Sequence, residues 1–281
     1  MRPLSLIGLF SPAFVFASSE GVKQSATDLF TLGGFPVSNS ILTTWIIAAL
    51  IIIGVRLAVG TPKLIPGKGQ AVVEGMAQGL RDALEPIVGK KMIGKTFPLL
   101  CGFFVFILLM NWSGLLPGVG TIKYHTAAGW QDAIRPANSD LNTTFALSVV
   151  SFVAWTYFVL RYAGIKVLVF DLFGNKADKK EVGLLMWVLL VPIFFAVGGI
   201  EVVSILFRLI SLSFRLFGNV FGGENLIHAL GGIAPYVIPA VAGLLEVLVG
   251  LIQAFVFTLL SAVYIGLICN HEGGHDDEHA H

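Results

Sequence analysis

GLLMWVLLVPIFFAVGGIEVVSILFRLISLSFRLFGNVFGG, Gly183 to Gly223, is apolar along nearly its whole length and yet carries Arg215. A guanidinium keeps its proton at any accessible pH. Holding one at bilayer depth costs about 2.5–3.5 kcal/mol on insertion scales. A charge retained at that cost reads as functional, and its counter-charge must be sought. The stretch is also long: about 40 residues in continuous helix would measure ~60 Å, against a hydrocarbon slab of ~30 Å.

Working outward, composition fixes the class. Of 281 residues, 56% are hydrophobic and 12% charged, with mean hydropathy +0.84. Soluble domains carry about 25% charged residues, so the chain reads as an all-α polytopic membrane protein. A formal net charge of +1 leaves no basic stripe to neutralise phosphates and argues against a nucleic-acid partner. Cys101 and Cys269 lie inside apolar segments and read as small hydrophobes, with no disulfide framework.

About five membrane-embedded helices are expected, from the apolar runs Ile41–Val59, Phe97–Pro117, Leu141–Leu160, Gly183–Gly223 and Ala234–Cys269. Lys63, Lys68, Arg81, Lys90, Lys91 and Lys95 crowd the first joint, and Arg161, Lys166, Lys176, Lys179 and Lys180 the third. The second holds Lys123 and Arg135 alone. The positive-inside rule then places the N-terminus outside and the C-terminus in the cytoplasm. Three parts follow: an outer segment 1–40, a single membrane domain 41–269 and a disordered His-rich and acidic tail 270–281. At the start, Arg2, the apolar run Leu4–Phe16 and Val15-Phe16-Ala17 fit a signal peptide spanning residues 1–17. An uncleaved interfacial segment fits them too.

In the first joint, Val73, Met76, Leu80, Leu84 and Ile87 recur at helical spacing opposite Glu74, Gln78, Arg81, Asp82 and Glu85. This predicts an amphipathic helix on the membrane surface or against a partner helix, kinked or ended near Pro86. The last two runs must tilt, break or protrude. Pro192, Gly198-Gly199 and Pro239 are candidate breaks. A long, strongly tilted helical hairpin with its tip at Gly231–Pro235, on the outer side, is the preferred reading.

Glu201, Ser204, Arg208, Ser211, Arg215 and Asn219 follow one another at spacings of three and four, which puts them on one narrow helix face. Gly218 and Gly222 flank this stripe as a small-xxx-small pair suited to close helix approach. The returning run carries Glu246 and Gln253 seven residues apart, and Glu224 follows the stripe. In an antiparallel hairpin Glu224 and Glu246 lie towards the tip, with Gln253 deeper, near Arg215. Buried arginine–carboxylate pairs can be purely structural. Several ionisable groups on one face, and a neutral Gln253 beside Arg215, weigh against that. Arg208, a heptad before Arg215, either snorkels to the cytoplasmic interface, the preferred reading, or tunes an inner channel.

SLSFRLFGNVFGGE (Ser211–Glu224), LLEVLVGLIQAFVFTLLSAVYI (Leu244–Ile265) and PANSDLNTT (Pro136–Thr144) closely resemble subunit a of the rotary F-type ATP synthases. The resemblance covers most of the chain from the first span onward. It implies a non-catalytic, ion-translocating stator subunit, without a cofactor, in the membrane sector of a rotary ATP synthase. Its implied partners are a c-subunit ring, peripheral-stalk b subunits, the remainder of the complex and the lipid bilayer. The signal-like start points to a bacterial inner membrane as the location. By the same resemblance Arg215 is the stator arginine and Gln253 packs beside it. Glu224 and Glu246 line an outer half-channel with Asn219 and Asp140; Glu201 and Ser204 belong to an inner one; Ser211 faces the ring. Many family members have a histidine at one of the two outer positions. Both are glutamates here, so the proton order between them stays open.

His271-Glu272-Gly273-Gly274-His275 spells the H-E-x-x-H motif of zinc metalloproteases. That chemistry needs a helix, and each glycine of the central pair costs a helix about 1 kcal/mol. The tail reads as a disordered, weakly chelating segment and the motif as a decoy. A stand-alone ion channel or secondary transporter is the other competing class. Internal repeats usual in transporters are not visible.

Overall fold

The computed structural model describes residues 26–116, 119, 123–126, 129–132, 134–173, 184–231 and 237–269. The signal-like segment 1–17, most of the hairpin tip and the tail 270–281 lie outside the described residues.

Five described helices are long and apolar enough to cross a membrane: Asn39–Val59, Lys90–Leu115, Leu141–Ala163, Leu189–Ile227 and Ala240–Leu267. Each overlaps one of the five expected runs, because lipid exposure demands unbroken apolar sequence and self-satisfied backbone. We label the helices α1 (Asn39–Val59), α2 (Lys68–Val88), α3 (Lys90–Trp112), α4 (Leu141–Phe158), α5 (Gly164–Phe173), α6 (Leu184–Gly231) and α7 (Val237–Cys269). A single π-turn, Val159–Ala163, ends α4 and closes at Gly164, whose φ of 81° few other residues adopt.

None of the proposed breaks materialises. α6 runs unbroken for 48 residues through Pro192 and both glycines. Pro239 is the third residue of α7, where its missing N–H would have had no helical acceptor anyway. Near Pro86, by contrast, the expected helix end is found: α2 runs two residues further and stops at Gly89, φ 87°, whose N–H bonds the Glu85 carbonyl.

Two small antiparallel hairpins add to the helices and were not expected. β1 (Asp28–Leu32) and β2 (Phe35–Ser38) turn through Gly33 and Gly34, both at positive φ, as a two-residue hairpin turn requires. β2 runs straight into α1, where Ser38 Oγ accepts from the N–H of Ile41 and so caps the helix start. β3 (Lys123–Thr126) pairs with β4 (Gly129–Asp132).

The chain divides into two compact units. The first comprises residues 1–56, 105–144 and 215–254. Its apolar core gathers Ile47, Met110 and Ala137 with Ile51 and Phe106. The second comprises 57–104, 145–214 and 255–281. Here α2 lays Leu80, Leu84 and Val88 against Met92, Ile93, Leu100, Phe158, Ala262 and Ile265. Gly266 admits the Ile87 carbonyl where any Cβ would collide with it. Only the C-terminal half of the α2 apolar stripe is covered, since Met76 is 60% exposed. The expected helix thus packs on helices of its own chain through one half.

Candidate functional site

The stripe on α6 occupies an arc of about 80° at 100° per residue. Leu212, Ser213, Leu216 and Val220 form the buried side of the helix, and Ile210 and Phe214 part of a bare apolar side. The stripe lies on the seam between them. Glu201, Ser204, Ser211 and Arg215 are exposed, while Arg208 and Asn219 are half-buried. Arg215 has no ion-pair or hydrogen-bond partner among the described residues.

In the first unit, α6 and α7 bring several sequence-predicted residues together. Asn219 Nδ2 donates to Gln253 Oε1 at 2.8 Å. Gln253 is 4% exposed, and its Nε2 finds no hydrogen-bond acceptor among the described atoms. One turn and more towards the C-terminus of α6, the Glu246 carboxyl lies against Gly223, where an added Cβ would sit 2.9 Å from its Cδ and Oε1. Glu246 is buried and Glu224, next along from Gly223, half-buried.

The close-approach glycine therefore differs from the expected pair. Gly218 and Gly222 have open space around them and point away from the packed side. One residue of helix turns the side-chain vector by about 100°, which takes Gly223 onto the α7 contact and leaves Gly222 bare. Asp140 is buried and accepts from Ser40 Oγ at 2.8 Å and from the Asn142 N–H at 3.1 Å. It caps α4 and ties it to α1; neither bond reaches Glu224, Glu246 or Asn219.

Sequence reasoning missed the groups that hold α7 in place. Asn111 Nδ2 donates to the Gly250 carbonyl at 3.0 Å, and Trp112 Nε1 to the Val247 carbonyl at 3.1 Å. Asn138 Nδ2 donates to Asn111 Oδ1 at 2.8 Å. Nearby in sequence, Arg135 Nε and Nη2 hold the Oγ and carbonyl of Ser139. The anchored carbonyls sit on the turns between Glu246 and Gln253. An Asn-Trp pair closing an apolar run was the available signal, since both side chains demand partners when buried.

In the second unit, Arg208 packs on an aromatic ring. Its guanidinium lies 3.5 Å from the Tyr264 ring centroid, a cation–π contact that becomes stronger out of water. Trp155 Nε1 donates to the Tyr264 carbonyl, and Ser151 and Ser261 share a hydrogen bond of 2.9 Å. These groups, with Ser148, line a cavity of about 30 Å³, room enough for a water. Glu201 and Ser204 do not line it. Among the described residues no cluster of metal-ligand type occurs; the H-E-x-x-H segment lies outside them.

Arg215 on its seam and the Asn219–Gln253 hydrogen bond one turn along α6 fall within the segments whose sequence resembles a rotary ATP synthase subunit. Comparison with known proteins agrees. A family profile described as ATP synthase A chain matches residues 41–266. The chain belongs to the ATP synthase subunit a family. ATP synthase subunit a of Moorella thermoacetica is 33% identical over 239 residues, covering 85% of this chain and 94% of the relative. The subunit a of Geotalea uraniireducens is 36% identical over 229 residues, covering 81% and 86%. As a subunit a family member the chain is an integral membrane protein, a non-catalytic and proton-translocating component of the ATP synthase complex.

Proposed function

We propose that this chain forms two aqueous half-channels and presents Arg215 to the carboxylates of a c-subunit ring, so that proton flow drives rotation. The observation that carries the reading is the placement of Arg215: exposed, without an acid partner among the described residues, and bordering bare apolar helix surface. An acid supplied by another polypeptide would complete it. A ring carboxylate crossing lipid must be protonated and neutral; facing a permanent cation it ionises. The fixed charge also keeps protons from passing directly between the tracks, which makes the ring the only carrier.

On this reading Glu224 and Glu246, with Asn219 and Asp140, serve the outer half-channel, and Glu201 and Ser204 the inner one. Gln253 orders the Arg215 neighbourhood through Asn219, and Ser211, exposed on the same stripe, faces the ring. The bare glycines Gly218 and Gly222 let a ring helix come close. Residues 41–269 make up the membrane domain, the b subunits of the peripheral stalk hold it still, and the host membrane is a bacterial inner membrane. The apolar part of α6, 39 residues or ~58 Å, fits a ~30 Å slab only when steeply inclined. An inclined helix keeps the whole stripe beside a turning ring. Disulfide cross-linking from Ser211→Cys to cysteines placed along the ring helix, in a Cys101→Ser/Cys269→Ser background, tests the arrangement. Adducts near the ring carboxylate are expected; none at any ring position would refute the proposal.

A further inference from the structure

Two cations share one aromatic ring in the second unit. Lys95 Nζ lies 4.1 Å from the Tyr162 ring centroid and the Arg161 guanidinium carbon 5.7 Å from it. The ring is itself stacked on Phe158, with centroids 6.0 Å apart. Lys95 comes from α3 and Arg161 from the π-turn after α4, so the pairing is tertiary rather than a local accident. Two like charges gathered at one ring favour an anion that joins them. No carboxylate of the described residues pairs with either, and both side chains are exposed. Lys90 and Lys91, also exposed, open α3 with no acid in its first turn. That is the end of a helix where cations are disfavoured and anions welcome.

The surroundings of the pair say what the anion carries. Lys95 lies near the start of the span Lys90–Leu115 and Arg161 near the end of the span Leu141–Ala163. Apolar side chains border them and stay open: Tyr157 58%, Leu160 45% and Ile165 65% exposed. A soluble phosphate would meet the cations alone and make no use of this apolar border. A headgroup with attached acyl chains would satisfy both. We propose that Lys95, Arg161 and Tyr162 form a site for the phosphate headgroup of an anionic phospholipid, whose chains lie along Tyr157, Leu160 and Ile165. The cations are held in place by the Tyr162 face, so little side-chain freedom is lost when the lipid arrives.

The test uses the whole ATP synthase complex with a fluorophore on Ile165→Cys, in a Cys101→Ser/Cys269→Ser background. It is reconstituted in phosphatidylcholine bilayers containing brominated lipid as a quencher. Brominated phosphatidylglycerol is expected to quench in preference to brominated phosphatidylcholine by about tenfold in relative binding. Lys95→Gln/Arg161→Gln should bring that preference close to one, while Arg56→Gln, a basic residue elsewhere, should leave it intact. No preference in the parent complex, or a preference unchanged by the double substitution, would overturn the site. Reversal of quenching by millimolar inorganic phosphate would assign it to a free anion instead. A label shielded from both brominated lipids would mean that an acidic segment of a neighbouring subunit occupies the cations.

Discussion

Asn219 and Gln253 meet side chain to side chain between α6 and α7, Nδ2 to Oε1 at 2.8 Å, one turn along α6 from Arg215. The two partners are not equally exposed: Gln253 is buried and Asn219 half-buried. Their removal should therefore have unequal consequences.

Asn219→Leu strands a buried amide, and an unsatisfied buried polar group costs about 1–3 kcal/mol. Gln253→Leu leaves Asn219 able to recruit water and should cost about 1 kcal/mol or less. The double substitution should resemble Gln253→Leu alone, giving a non-additive cycle. Unfolding of the purified complex, followed at subunit a across a denaturant series, measures all three. Equal and additive losses would contradict the pairing.

Gly223→Ala should lower ATP-driven proton pumping several-fold, since its Cβ would lie 2.9 Å from the Glu246 carboxyl and push it out of place. Gly79→Ala supplies the comparison: it is exposed on α2 with nothing within 4 Å. That change should leave pumping intact and stabilise the helix by about 0.5–1 kcal/mol. Acidification rates in sealed vesicles separate the two, and equal rates would mean that Glu246 does not need its seat on Gly223.

The half-covered face of α2 makes a stability prediction. Leu84 is fully buried in the second unit's core, so Leu84→Ala should cost about 2–5 kcal/mol. Met76→Ala, on the same sequence stripe but exposed, should stay within about 0.5 kcal/mol. The shift in thermal midpoint of the complex reports both. A comparable loss at Met76 would show that its face is covered in the assembly.

Much of this molecule is legible in the sequence where one physical demand acts along the chain. The five spans follow from lipid's demand for apolar surface, and the stripe from Glu201 to Asn219 from helical period. What escaped needed knowledge of partners far away in sequence. Whether Gly222 or Gly223 meets α7 depends on the rotation of α6, which spacing does not fix. Arg208 and Tyr264 lie 56 positions apart by their numbers, so no local spacing pairs that guanidinium with its ring. The strands of the first hairpin, five and four residues long, are too short for alternation to register. Its Gly33-Gly34 turn was the signal available. Asp140 had the sequence of a cap all along, directly preceding the apolar α4.

The most direct measurement is ATP-driven proton pumping, together with passive proton leak, in sealed inverted vesicles carrying Arg215→Ala in the intact complex. Loss of pumping with the complex still assembled, accompanied by a raised leak, is the predicted result. Pumping at the parental rate would contradict the claim that a fixed guanidinium at this position forces protons onto the ring.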